Sequence, residues 1–260
     1  MPVTRIAQAF KDKAFIAFIT GGDPTIEDTR RYIKVLADAG ASLVEIGVPF
    51  SDPIAEGPVI QEASRRALAA GSSLEKLLDL VKTLRREDGL TIPLVAMTYL
   101  NPVHHYGYDR FFTQAGEVGV DGVIIPDLPW EEHREVSVLA HCQDVALICM
   151  IAPTSTSRIR QIASQAKGFI YLVSSLGVTG VRSRITTDIS WIVTEIRAVT
   201  DTPIAVGFGI STPEQAAEIG SQADGVIVGS AIVRLIANHT NQADQPLSDY
   251  VHQMTAALRS

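Results

Sequence analysis

Several residue types that would mark a protein class are scarce here. Among 260 residues there are two cysteines, Cys142 and Cys149, and they form neither a disulfide framework nor a metal spacing. That fits a reducing, cytoplasmic setting. Of the six histidines, His104 and His105 are adjacent but have no further ligands at useful spacing, so no metal is expected. Basic residues are outnumbered, 22 against 29 acidic ones, for a net charge of −7. A nucleic-acid backbone needs a basic face, so that partner is not expected. No apolar run is long enough to span a bilayer, so no membrane association is expected. The opening stretch MPVTRIAQAFKDK has no apolar core of the kind a secretory signal carries. Three catalytic signatures are missing as well. No dinucleotide glycine fingerprint follows the first apolar run, and no G-x-S-x-G elbow occurs. No lysine closes a late apolar run, which weakens a Schiff-base aldolase reading.

What the chain does have is alternation. Hydrophobic residues make up 46%, enough for a sizeable core. They gather in eight short runs, at 15–20, 43–48, 94–99, 122–127, 146–152, 169–174, 204–208 and 225–229. Continuous apolar runs are the mark of strands buried on both faces, usually parallel and joined by helical crossovers. Thr25 and Asp28 resemble a capping box opening a helix over 26–39, and Ser73 can cap one over 74–86. Thr212 followed by Pro213 reads as an N-cap with proline in the first turn. Gly40, Gly71, Gly119, Gly168 and Gly220 stand near expected helix ends, and 247–258 reads as a final helix. The pattern predicts one α/β domain over 1–260, a (β/α)₈ TIM barrel with an added N-terminal helix and extra loop helices. A doubly wound open sheet is the alternative, and the missing glycine fingerprint counts against it. Two loops are long, 49–71 (in which 58–70 can form its own helix) and 177–188. Both follow strand ends where barrel sites are built.

Three glycine groups lie at the ends of the last strands: 177–180, 207–209 and 229–230. Glycine lets backbone approach a ligand, and a helix N-terminus offers unpaired N–H groups, so together they point to a phosphate site. Singly, each would make only a tight turn. Among the carboxylates, Glu45 sits inside an apolar run, where a charge is costly without a partner or a purpose. A structural ion pair is the competing account. Asp52 and Glu56 lie in the loop that follows, and with Glu45 they make an acid/base pair possible. Asp127 closes the fourth run and could orient a loop or cap a helix.

The stretch EIGVPFSDP at 45–53 closely resembles the signature of the tryptophan synthase alpha chain family. The similarity runs along nearly the whole chain, through MTY at 97–99 with Asn101 and Pro102, IPDLP at 125–129, GVTG at 177–180, GFG at 207–209 and VGS at 228–230. It implies retro-aldol cleavage of indole-3-glycerol phosphate to indole and glyceraldehyde 3-phosphate, a step of tryptophan biosynthesis. It further implies that Glu45 protonates indole C3 and that Glu56 handles the indole N–H. Thr179 would position that loop carboxylate, while Tyr171 and Phe208 border the indole. The phosphate would rest on Gly180, Phe208, Gly209, Gly229 and Ser230. In the family the loop acid is an aspartate; Glu56 keeps the carboxylate and adds one methylene. No cofactor is implied in this chain. Pyridoxal phosphate belongs on a partner, the beta chain, in an alpha2-beta2 tetramer. Asp52, Pro53, the Asn101–Pro102 region and the loop at 127–129 would lie near that interface. Two other readings stay open: a free-standing indole-releasing lyase, and an alpha-like regulatory subunit with little chemistry of its own that binds ligand and activates its partner.

Overall fold

A computed structural model of the chain describes residues 2–173, 189–207 and 209–259. After α1 (Pro2–Ala9), the strands are β1 (Ala14–Thr20), β2 (Leu43–Gly47), β3 (Leu94–Met97), β4 (Gly122–Ile124), β5 (Ala146–Leu147), β6 (Cys149–Ile151), β7 (Ile170–Val173), β8 (Ile204–Gly207) and β9 (Gly225–Val228). All pairings are parallel, in the order β5-β4-β3-β2-β1-β9-β8-β7-β6. Only Ile148 separates β5 from β6, so they are two halves of one barrel strand and the order closes on itself. The eight apolar runs therefore become the eight strands of a (β/α)₈ barrel.

Side-chain alternation explains why those runs are apolar throughout. Ile16, Leu43, Val95, Ile124, Phe169, Ala205 and Ile227 point inward and fill the barrel. Their neighbours Phe15, Val44, Leu94, Val123, Ile170, Val206 and Val226 point outward beneath the helices. The helices, among them α2 (Ile26–Asp38), α7 (His133–Cys142), α8 (Thr156–Ala163) and α9 (Ser190–Arg197), follow the same logic. In α4 (Leu74–Arg86), Leu77, Leu78, Val81 and Leu84 are buried, and the Ser73 side chain accepts the Lys76 N–H. α1 closes the N-terminal end of the barrel. Ile6 joins the inner core there, and Phe10 packs 5.5 Å from Phe169. Beside it Asp121, fully buried, accepts from Arg5 at 2.6 Å and Arg85 at 2.5 Å.

The extra loop helices are α3 (Pro58–Ala69), between β2 and α4, and α5 (Leu100–Tyr106), between β3 and α6 (Tyr108–Val118). Two local expectations need correction. The Thr25 side chain accepts the Asp28 N–H, but the Asp28 carboxylate takes the Thr25 hydroxyl instead of returning to the backbone. The complete capping box lies at Thr212 and Gln215, at the start of α10 (Pro213–Gly220). Gly220 ends that helix from inside. A Cβ there would strike Leu258, so close approach of the last helix explains the glycine. That helix, α12, spans Asp244–Arg259 and so begins three residues before the expected start at 247. The expected loop at 177–188 lies outside the described residues. Among the described residues no helix is long and apolar enough to cross a membrane.

Candidate active site

The C-terminal ends of the strands surround a cavity of about 620 Å³, counting its open mouth. Its walls are mainly apolar: Phe18, Ile60, Met97, Pro126, Met150, Tyr171 and Ile227. Glu56 reaches it from one side, and Gly209, Gly229 and Ser230 line it from β8 and β9. A planar aromatic group suits the walls, and a small anion suits the glycine end.

Glu45 is the third residue of β2, so it shares the inward face with Leu43. Phe18 and Val95 are its neighbours in register on either side. It is 0% exposed, and among the described residues neither carboxyl oxygen has a hydrogen-bond partner. Desolvation favours the neutral acid and pushes its pKa up to about 8. It does not form part of the cavity wall; it lies in the buried layer around it. Among the described residues, Glu45 therefore belongs to no ion pair.

Glu56 immediately precedes Gly57, the N-cap of α3. It is 8% exposed. Burial pushes its pKa up to about 7, opposed by a hydrogen bond from Tyr99. The Tyr99 hydroxyl also accepts the Ala55 N–H at 2.9 Å, and Gln61 Nε2 donates to the Glu56 carbonyl at 2.8 Å. The loop is thus held on both sides of its carboxylate. Tyr171 points inward from β7. Burial and the carboxylates of Glu45 and Glu56 hold its phenol protonated far above neutrality. On the neighbouring strand β8, Gly207 leaves room for the ring, because a Cβ there would collide with the Tyr171 hydroxyl.

At the other end of the cavity, Gly209 has φ 92°, a left-handed conformation that favours glycine. Gly229 is the N-cap of α11 (Ser230–His239), whose first helical bond runs from Val233 N–H to the Gly229 carbonyl. The N–H groups before Val233 have no carbonyl partner within the helix.

Of the residues expected at the site, Glu56, Tyr171, Gly209, Gly229 and Ser230 share one cavity, and Glu45 lies beside it. Thr179, Gly180 and Phe208 lie outside the described residues. Sequence reasoning missed most of the apolar wall. Phe18 was within reach, since it keeps the inward parity of Ile16 on the same strand. Ile60 and Met150 carried no such signal.

Fold and site together define a class: a (β/α)₈ barrel with an apolar, carboxyl-bearing cavity at the C-terminal strand ends, beside a glycine-lined helix N-terminus. A family model described as "Tryptophan synthase alpha chain" matches residues 5–259. The tryptophan synthase alpha chain of Lactiplantibacillus plantarum is 49% identical, covering 98% of this chain and 97% of its own length. That of Lacticaseibacillus casei is 44% identical, covering 99% and 97%. The solved tryptophan synthase subunit alpha of Legionella pneumophila superposes with a TM-score of 0.87 at 35% identity, covering 98% of each chain. The chain belongs to the tryptophan synthase alpha chain family. Its reaction is the family's: a carbon–carbon lyase step that cleaves indole-3-glycerol phosphate in tryptophan biosynthesis. Membership also implies a beta-chain partner.

Proposed function

We propose that Glu45 and Glu56 divide the acid and base work of this cleavage. The observation that carries the proposal is two buried carboxyl groups in different surroundings at one apolar cavity. Glu45, with a pKa near 8 and no hydrogen-bond partner among the described residues, is protonated at neutral pH and can give its proton to indole C3. Its carboxyl must swing from the buried layer into the cavity to do so. Glu56, half ionised near pH 7 and held by Tyr99, takes the indole N–H proton. The resulting indolenine carries an extra hydrogen on C3. The carbinol hydroxyl then gives its proton to the Glu45 carboxylate, and its C–O bond becomes the aldehyde C=O. The pair from the broken C–C bond returns to the ring, and Glu56 hands the proton back to nitrogen. Atoms and charge balance without water.

The phosphate rests on backbone at Gly180, Phe208, Gly209, Gly229 and Ser230, with Tyr171 and Phe208 beside the indole. Thr179 positions the Glu56 loop. No cofactor is needed in this chain, because proton transfer is the only chemistry required. The beta chain carries pyridoxal phosphate, and the assembly is an alpha2-beta2 tetramer in the cytoplasm, with the present chain as one domain. Its docking face surrounds the cavity mouth, where Asp52, Asn101 and Pro129 are exposed and Ile54 is 75% exposed. Turnover of indole-3-glycerol phosphate with and without a beta chain tests this reading. Release of both products, accelerated on titration with the partner, supports it. Full turnover with no response to the partner would favour a free-standing lyase. Binding without turnover would favour a regulatory subunit.

A further inference from the structure

Asp127 lies beyond the end of β4, half-buried, outside the cavity wall. Its Oδ1 accepts the Leu100 N–H at 2.8 Å. Leu100 opens α5, and the N-cap residue of that helix, Tyr99, supplies no side-chain cap of its own. The cap therefore comes from the neighbouring barrel unit. This bond lies just past the end of the β3–β4 ladder, whose last bond runs from Thr98 N–H to the Ile124 carbonyl at 3.0 Å. Tyr99 sits between these two ties, so its backbone is fixed to the fourth unit on both sides. Its ring is fixed separately against Phe50, 5.3 Å away. From that anchored position the hydroxyl accepts the Ala55 N–H and donates to Glu56.

We propose that Asp127 is a positioning residue for the lyase reaction, fixing through Leu100 the place of the Tyr99 hydroxyl that aims Glu56. The proposal rests on the assignment of Glu56 as the group that handles the indole N–H. Three consecutive barrel units then meet in one chain of bonds: the β4 end holds the β3 end, which holds the loop after β2. A purely structural cap would stabilise α5 without any special tie to Glu56. A positioning residue must share its effect with Tyr99, because both act on the same carboxylate. A misplacement of about 1 Å at a reacting group costs on the order of 100-fold in rate, so partial loosening of this strut should be visible in kcat.

The test is a kinetic double-mutant cycle on the full chain in complex with a beta chain, assayed for indole release. Asp127→Ala is expected to lower kcat about 10-fold with KM changed less than about twofold. Asp127→Asn keeps an acceptor oxygen for Leu100 and should recover most of that loss. Asp127→Glu displaces the oxygen by a methylene and should behave like the alanine variant; it also serves if Asp127→Ala fails to fold. The double variant Asp127→Ala/Tyr99→Phe should be no slower than Tyr99→Phe alone. Multiplying losses in the double variant, or an unchanged kcat in both Asp127→Ala and Asp127→Glu, would overturn the proposal. Glu56→Ala is run in parallel. If Glu56→Ala turns over normally, the Glu56 assignment itself is wrong and the strut falls with it. If Glu56→Ala is inactive while the losses multiply, only the strut is wrong.

Discussion

Tyr99 holds the Glu56 carboxylate with the same hydroxyl that accepts the Ala55 N–H, so one phenol sets both the loop backbone and its acid. This bears on the extra methylene of Glu56. The glutamate is accommodated: it is nearly buried, lines the cavity and reaches a fixed partner. Glu56→Asp should then fall short of Tyr99 and lose activity, on the order of 10- to 100-fold in kcat. Steady-state kinetics on the purified variant checks this. A rise in rate would mean that the loop is built for the shorter acid.

The proposed roles of the two carboxyl groups imply a pH profile. In that proposal Glu56 is ionised to take the N–H proton, so kcat/KM should rise with pH through about 7. Glu45 is protonated to serve C3, so kcat/KM should fall again as pH passes about 8. The expected curve is a narrow bell with its maximum between those values. Glu56→Gln should abolish most activity at every pH. A profile flat from pH 6 to 9 would remove these groups from the rate-determining chemistry.

At the proposed phosphate end, Gly209 has a left-handed backbone conformation that favours glycine. Gly209→Val should strain the turn and place a branched side chain against the ligand. The expected result is a KM for indole-3-glycerol phosphate raised about 10-fold or more, with inorganic phosphate a weaker competitor. Unchanged KM and unchanged inhibition by phosphate would place the anion elsewhere.

The opposite face of the barrel is a stability feature. Asp121 is buried between Arg5 and Arg85 and also accepts the Leu94 N–H at 2.8 Å. Burial pushes the Asp121 pKa up and that of Arg85 down to about 10, so desolvation outweighs the attraction on both sides of the pair. Removing one partner strands the other. Asp121→Ala should cost about 3–5 kcal/mol in denaturant unfolding while leaving KM of the folded fraction unchanged. A loss below about 1 kcal/mol would show the cluster to be well solvated.

Much of this was legible in the sequence because burial leaves a plain mark. Eight apolar runs gave eight barrel strands, and the one charge inside such a run, Glu45, is a buried acid with no hydrogen-bond partner among the described residues. Of the glycines singled out in the sequence, Gly207 leaves room for the Tyr171 ring and Gly209 takes a left-handed backbone that favours glycine. Less accessible were relationships that cross units. That Asp127 could cap a helix was legible, but nothing local to it says that the helix begins 27 residues earlier in the chain. Nothing local to Tyr99 says that its hydroxyl lies against Glu56. Ile60 and Met150 are ordinary apolar residues whose place in the wall depends on the closed ring. The break between β5 and β6 was likewise invisible, because Ile148 keeps both its apolar character and its bond to the Val123 carbonyl at 2.9 Å.

The central claim is that Glu45 delivers the proton to indole C3. Glu45→Gln keeps the size and inward direction of the side chain and removes only the acid. Turnover of indole-3-glycerol phosphate by this variant, in complex with a beta chain, is the most direct measurement. The account predicts a loss of about 10²- to 10⁴-fold in kcat with substrate binding retained. Turnover close to that of the unaltered chain would contradict it.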